Sequence, residues 1–214
     1  MAADLAVKAP PVTPTMYNWT GIYFGVNGGG AWGTQDPLNI ITDRFDALST
    51  GVSGGLVGGT AGAQIQLGHV VLGFEADLDW ASITGSATVT PTIFGVAQPF
   101  TVNLNTKIDW EATARARIGY AQDNWLLFAT GGLAVFGNKT DLTTVAGTVC
   151  GTIGTIDCSG TDKRLGAALG GGLEYGFTPN WSAKVEYLYV AAASLEVVHA
   201  NEVRAGINYR FGGP

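Results

Sequence analysis

The sequence predicts an all-β protein, an eight-stranded antiparallel up-and-down transmembrane β-barrel. Three observations carry this expectation. Apolar and polar residues alternate with a period of two through eight segments, as extended strands with two unlike faces require. Short and long connections alternate along the chain. Aromatic residues gather at both ends of the apolar face.

The first segment, about residues 19–33, puts Ile22, Phe24, Val26 and Trp32 on one face. Residues 54–67 set Ala61, Ala63, Ile65 and Leu67 against Gln64 and Gln66. Residues 70–81 set Val70, Leu72, Phe74, Ala76, Leu78 and Trp80 against Glu75, Asp77 and Asp79. In residues 106–121 the stretch DWEATARARIGY places Trp110, Ala112, Ala114, Ala116, Ile118 and Tyr120 opposite Asp109, Glu111, Thr113, Arg115 and Arg117. Residues 125–138 are apolar on both faces, so their orientation stays open. Residues 163–177 oppose Leu165, Leu169, Leu173, Tyr175 and Phe177 to Arg164 and Glu174. Residues 181–189 oppose Trp181, Val185, Tyr187 and Tyr189 to Lys184 and Glu186. The last segment, residues 202–211, opposes Val203, Ala205, Ile207, Tyr209 and Phe211 to Glu202, Arg204, Asn208 and Arg210.

Between these segments, 68–69, 122–124 and 178–180 read as tight hairpin turns. The connections 34–53, 82–105, 139–162 and 190–201 are long. An up-and-down barrel then gathers the tight turns and both termini at one end and the long loops at the other. That asymmetry is the pattern of short periplasmic turns and long external loops in outer-membrane barrels.

Composition agrees. Charged residues are 13 % of the 214, well below soluble norms, and 32 residues are glycine. The longest apolar run, residues 125–137, is too short for a spanning helix. A membrane protein without such helices must close its backbone hydrogen bonds in a barrel. The net charge of −6 and the lack of a basic cluster argue against nucleic acid.

Which face meets lipid follows from the aromatics. Tyr120, Trp125, Tyr175, Trp181, Tyr209 and Phe211 lie near the tight turns, and Trp32, Trp80, Trp110 and Tyr187 near the long loops, as two girdles would. Trp110 and Tyr120 are ten residues apart, which at the usual rise and tilt is about 25 Å, the height of a barrel's apolar band. Small residues on the polar face (Gly166, Ala168, Gly170, Gly172) suit a crowded interior. The charges therefore point inward: Glu75, Asp77, Asp79, Asp109, Glu111, Glu174, Glu186 and Glu202 with Arg115, Arg117, Arg164, Lys184, Arg204 and Arg210. Eight acids and six bases should form bridged pairs that plug the bore, Arg115 and Arg117 with Glu75 and Asp77 foremost. An ion path lined by the same residues is the alternative.

The stretches ADLAVKAP (3–10), WTGIYFGVNGGGAWG (19–33), GFEADLDW (73–80), TARARIGYA (113–121), ATGGLAVFG (129–137), GGGLEYGFTPNWSAKVEYLYV (170–190) and VRAGINYRF (203–211) resemble the small outer-membrane β-barrel proteins of alphaproteobacteria, the porin-family or outer-membrane immunogenic proteins. The resemblance implies an outer-membrane location and a mainly structural role; some relatives are described as haem-binding or as surface antigens. Such chains commonly end on the aromatic of the last strand, whereas Gly212-Gly213-Pro214 follow Phe211 here. The expected organisation is an extended periplasmic lead-in over 1–18, the barrel over 19–211 and a tail over 212–214. The start reads as a mature N-terminus with Met1 in place of a removed leader.

Other motifs have plainer explanations. Cys150 and Cys158 share one long loop, and in an exported protein they are expected to form a disulfide. GGGAWG (28–33) matches G-x-G-x-x-G but lies within a strand, not before a helix. GVSGG (51–55) matches the nucleophile elbow at Ser53 without the strand-to-helix setting. Of the two histidines, His69 falls in a tight turn and His199 in a long loop. His199, with Tyr189, is the one candidate haem ligand. No catalytic residue, metal site or obligate cofactor is assigned. The expected partners are outer-membrane lipid and lipopolysaccharide, the barrel-assembly machinery during biogenesis, and an extracellular ligand or host molecule at the loops. The leading expectation is a non-enzymatic barrel with an envelope-integrity role. A narrow ion or solute channel and loop-mediated ligand capture such as haem are the alternatives.

Overall fold

The computed structural model describes residues 17–35, 50–89, 92–93, 96–97, 102–144, 159–192 and 198–211. Their strands are β1 (Gly21–Gln35), β2 (Thr50–Leu67), β3 (Val70–Val89), β4 (Thr92–Ile93), β5 (Val96–Ala97), β6 (Val102–Gln122), β7 (Trp125–Thr144), β8 (Ser159–Thr178), β9 (Trp181–Ala192) and β10 (Val198–Phe211). Eight of them close into one barrel in the order β1-β10-β9-β8-β7-β6-β3-β2, while β4 and β5 form a separate two-residue ladder. Each barrel strand pairs antiparallel with its neighbours in sequence, and β1 meets β10 along its whole length, from Ile22 opposite Phe211 to Gln35 opposite Val198. No edge strand is left over in the barrel, so its backbone groups are satisfied within it.

Tight turns at Gly68-His69, Asp123-Asn124 and Pro179-Asn180 lie at the end that also holds the start of β1 and the finish of β10. Gly68 and Asp123 adopt positive φ, 65° and 53°, a conformation open to glycine and tolerated by aspartate. At the opposite end the strands outlast the pattern read from sequence. β3 continues to Val89, well past Trp80, and β6 and β7 extend with it. The wall therefore stands clear of the apolar band at the long-loop end.

Period two holds through most of the wall. Phe74 is 74 % exposed and Trp80 69 %, with Leu78, Leu127, Leu133, Leu169 and Val185 also bare on the outside. The residues between them are buried in the bore. The fifth barrel strand resolves here: Leu126, Phe128, Thr130, Ala134 and Phe136 face in, and Leu127 and Leu133 face out. An exterior of bulky hydrocarbon around a charged interior is the inverse of a soluble barrel and fits a lipid environment.

Candidate functional site

The bore is packed in tiers. At the tight-turn end, Tyr17 and Trp19 turn inward and are buried with Val71, Ala121, Leu126 and Phe128. The Trp19 N–H donates to Gln66 Oε1 at 2.9 Å, and Gln66 N–H donates to Thr20 Oγ1 at 3.0 Å, which sews the entering chain to β2. Gly176 makes room for this: a side chain there would overlap the Tyr17 ring. The Arg210 guanidinium lies 4.9 Å from the Trp19 ring centre and 5.2 Å from that of Tyr17, and donates to the Asn18 carbonyl at 3.3 Å. The lead-in expected over 1–18 thus contributes Tyr17 and Asn18 to a lid on the bore.

Above the lid lies a balanced charge tier. Arg115 donates from Nη2 to Glu75 Oε1 at 2.8 Å and to Asp77 Oδ2 at 2.6 Å, and from its fork to Glu186 and to Thr130 Oγ1. Arg117 pairs with Glu174, donates to the Tyr23 hydroxyl at 3.2 Å and stacks its guanidinium 3.8 Å from the centre of the Phe128 ring. Lys184 Nζ lies 2.8 Å from Glu75 Oε1. Neutral groups take up the remaining carboxylate lone pairs. Tyr23 donates to Glu75 at 2.8 Å, Thr60 and Thr113 donate to Asp77 at 2.6 and 3.0 Å, and Ser182 and Asn208 donate to Glu174 at 2.5 and 3.0 Å. Arg210, 3.7 Å from Glu174, balances the tier at four acids and four bases; removing them from water is costly, and this degree of hydrogen bonding offsets much of it.

The next tier is unbalanced. Among the described residues, Arg204 alone serves Asp79 (Nη1–Oδ2 2.9 Å), Glu111 (Nη2–Oε1 2.8 Å) and Glu202 (Nε–Oε2 2.8 Å), all buried. One guanidinium faces three carboxylates.

The final tier is apolar. Ala31, Val52, Leu56, Ile83, Ile108, Ala134, Phe136, Ala168, Leu188, Val190 and Ala200 form one buried cluster across the bore toward the long-loop end. Neither this layer nor the Tyr17–Trp19 lid was anticipated. Their signals were faint: a second apolar face on the fifth segment, and Leu188 and Val190 interrupting the polar parity after Glu186.

Two assignments change. The alternation puts Asp109 in the bore with Glu111, but the register of β6 shifts between Ile108 and Trp110. This bulge reverses which residues point inward, so Ile108 is buried in the bore and Asp109 stands at the outer rim. There it accepts from Lys107 at 3.0 Å and Lys139 at 2.6 Å. His199, which the sequence pattern puts in a long loop, belongs to β10, where its Nδ1 is 2.6 Å from the Tyr189 hydroxyl and its ring stacks on Tyr189 at 5.7 Å.

The structure places the remaining residues as follows. Arg164, opposite Phe136, is half-buried nearer the long-loop end than the charge tiers. Trp32, Trp80, Tyr120, Trp125, Tyr175, Trp181, Tyr187 and Phe211 are exposed on the outer wall, and Trp110 and Tyr209 half-exposed. Trp125 packs on Tyr175, and Trp181 on Tyr209, which in turn packs on Phe211. Cys150 and Cys158 lie outside the described residues, as do residues 1–16 and 212–214.

A closed lipid-facing barrel with a packed polar bore defines the class, an outer-membrane β-barrel protein. Residues 3–211 match the outer membrane protein beta-barrel domain, and the chain belongs to that family. It is 34 % identical to the 31 kDa outer-membrane immunogenic protein of Brucella melitensis biotype 1, over 99 % of this chain and 93 % of the relative. It is 28 % identical to the 22 kDa outer membrane protein of Rhizobium leguminosarum bv. viciae, over 94 % and 82 %. Among solved structures, Neisserial surface protein A shares the fold with a TM-score of 0.53 at 13 % identity, covering 90 % of this chain and 98 % of the other. The protein is located in the bacterial outer membrane.

Proposed function

We propose that this barrel is a non-enzymatic structural component of the outer membrane that presents its long loops to the exterior and does not conduct. The observation that supports this reading is the continuity of the fill. Among the described residues, an aromatic lid, two charge tiers and an apolar layer succeed one another along the bore without a stretch left to open water. Conduction through eight strands requires polar groups lining a continuous water column. Here each buried carboxylate of the two charge tiers is paired with a cation of the same tier, and the layers on either side of them are apolar. Ions crossing the apolar layer would be stripped of water without a compensating ligand.

Refolded protein in a planar lipid bilayer tests the proposal. The expected result is no current step above baseline in molar salt. Reproducible ion-sized steps that scale with salt concentration would move the assignment to a narrow channel.

A further inference from the structure

The tier around Arg204 holds more negative charge than its one guanidinium balances. Asp79 on β3 and Glu111 on β6 are direct cross-strand partners, so two acids stand side by side on the wall of the bore. Like charges in that position repel. Glu202 meets them from β10 across the bore, and all three acids and Arg204 are buried. With every carboxyl ionised, three negative charges lie out of water against one positive charge. Buried acids without a full complement of cations reach neutrality by keeping a proton.

The contacts single out one acid. Glu202 Oε2 accepts from Arg204 twice, from Nε at 2.8 Å and from Nη2 at 2.5 Å. Asp79 Oδ2 accepts from Nη1 at 2.9 Å. Glu111 has only Nη2, at 2.8 Å, and shares that nitrogen with Glu202. It has the weakest hold on the cation, and Asp79 stands directly opposite it. Glu202 Oε1 is buried and accepts no hydrogen bond from a donor among the described residues. The Glu111 and Glu202 carboxyls are nevertheless in hydrogen-bond contact. A carboxylate only accepts, so two carboxyls bond to each other only when one of them holds a proton.

The groups around the pair do not supply that donor. On β3 the next acid in the bore is Asp77, and on β9 Glu186 stands opposite Arg204; both are bound to Arg115, the nearest base in the bore along β6. β7 presents Phe136 opposite Glu111, and β8 presents the half-buried Arg164 opposite Phe136, nearer the long loops. β1 and β2 present Ala31, Gly29 and Gly58 opposite Glu202, Arg204 and Asp79. None of them donates to Glu202 Oε1.

We propose that Glu111 and Glu202 share one proton in the closed barrel, with Glu111 as its donor and Glu202 as its acceptor. The proton is taken from bulk water, and it leaves the tier with two carboxylates on one guanidinium. It also ties β6 to β10 across the bore beside Arg204. Raising the pH returns the proton to water and restores three negative charges around Arg204, so the tie is sensitive to pH.

Infrared spectroscopy of the folded full chain, in a detergent free of carbonyl groups, tests the proposal. The parent should show the C=O stretch of a protonated carboxyl at about pH 6, where glutamate in water is almost fully ionised. Glu111→Gln should lose that band, and Glu202→Gln should lose it too, because an amide donates where the carboxylate accepted. Heat-modifiable gel migration verifies folding, and either variant suffices if the other fails to fold. Urea titrations give a second readout. While folded Glu111 keeps a proton that the unfolded chain has released, each unit rise in pH should weaken the parent about tenfold relative to Glu111→Gln. Glutamine matches the protonated acid, so the two are alike at the acid end, and the variant gains where Glu111 is ionised. Absence of the band from the parent would overturn the proposal, as would its retention in either folded variant or parallel pH profiles. Stabilisation of the parent by sodium that Glu111→Gln abolishes would also overturn it, because a metal cation would then stand in the proton's place.

Discussion

Arg115 on β6 closes on both carboxylate oxygens of Glu186 on β9, three strands around the wall, so a single ion pair spans the bore. The same guanidinium holds Glu75 and Asp77 on β3. It cross-links three strands that share no backbone ladder except β3 with β6. Truncation to alanine leaves buried carboxylates without their cation. Arg115→Ala should cost about 3–5 kcal/mol, read as a lowered urea midpoint by tryptophan fluorescence in micelles. A cycle with Glu186→Gln should show coupling of about 1–3 kcal/mol; additive losses would mean that the pair does not join the walls.

Phe136 tests the apolar layer separately. It is buried among Ile108, Ala134 and Leu188 in the layer nearest the long loops. Phe136→Ala should cost about 3–5 kcal/mol by cavity formation and still give no current in a planar bilayer, because the charge tiers beneath it stay closed. Conductance in this variant would show that the apolar layer alone seals the bore.

Architecture was readable because lipid reverses the usual faces and leaves the period intact. Phe74 next to Glu75, and Trp110 next to Glu111, announce two faces in any window of the sequence. The site was readable only where that period is unbroken. Asp109 follows the alternation on paper, but one inserted residue at the bulge redirects it, and no residue type near it signals a bulge. The apolar layer escaped notice for a different reason. Leu56, Leu188 and Phe136 look like lipid-facing residues, and only closure of the barrel shows that they meet one another at its centre. Tyr17 and Trp19 precede the first strand, and what folds them inward is a tertiary contact with Gly176, more than a hundred and fifty residues away along the chain.

Phe74 gives a direct reading of the exterior. At 74 % exposed, it would tolerate arginine at little cost on a water-facing surface. It lies between Val70 and Trp80 on β3, near the middle of the apolar band. Phe74→Arg should therefore destabilise the barrel by about 2–4 kcal/mol in a lipid bilayer. Folding equilibria of parent and variant in vesicles measure this, and a neutral result would contradict a lipid-facing wall.

Arg204 and Glu111 should respond with opposite signs. Arg204 is the only cation contacting Asp79, Glu111 and Glu202 among the described residues, so its loss strands three buried carboxylates together. Arg204→Gln should cost about 3–5 kcal/mol or more, since each acid loses its partner and gains unscreened neighbours. Glu111→Gln removes one of three negative charges around one guanidinium, keeps the side chain's shape and leaves Asp79 and Glu202 paired. The repulsion it relieves is of the same order as the hydrogen bond it weakens, about 1 kcal/mol. Glu111→Gln should therefore be neutral or stabilising by up to about 1 kcal/mol in the same urea titration. The pair of variants separates charge balance from simple packing, because two substitutions to glutamine in one cluster would otherwise lose stability alike. A large loss from Glu111→Gln would mean that all three carboxylates are needed, and that the tier holds a further cation besides Arg204.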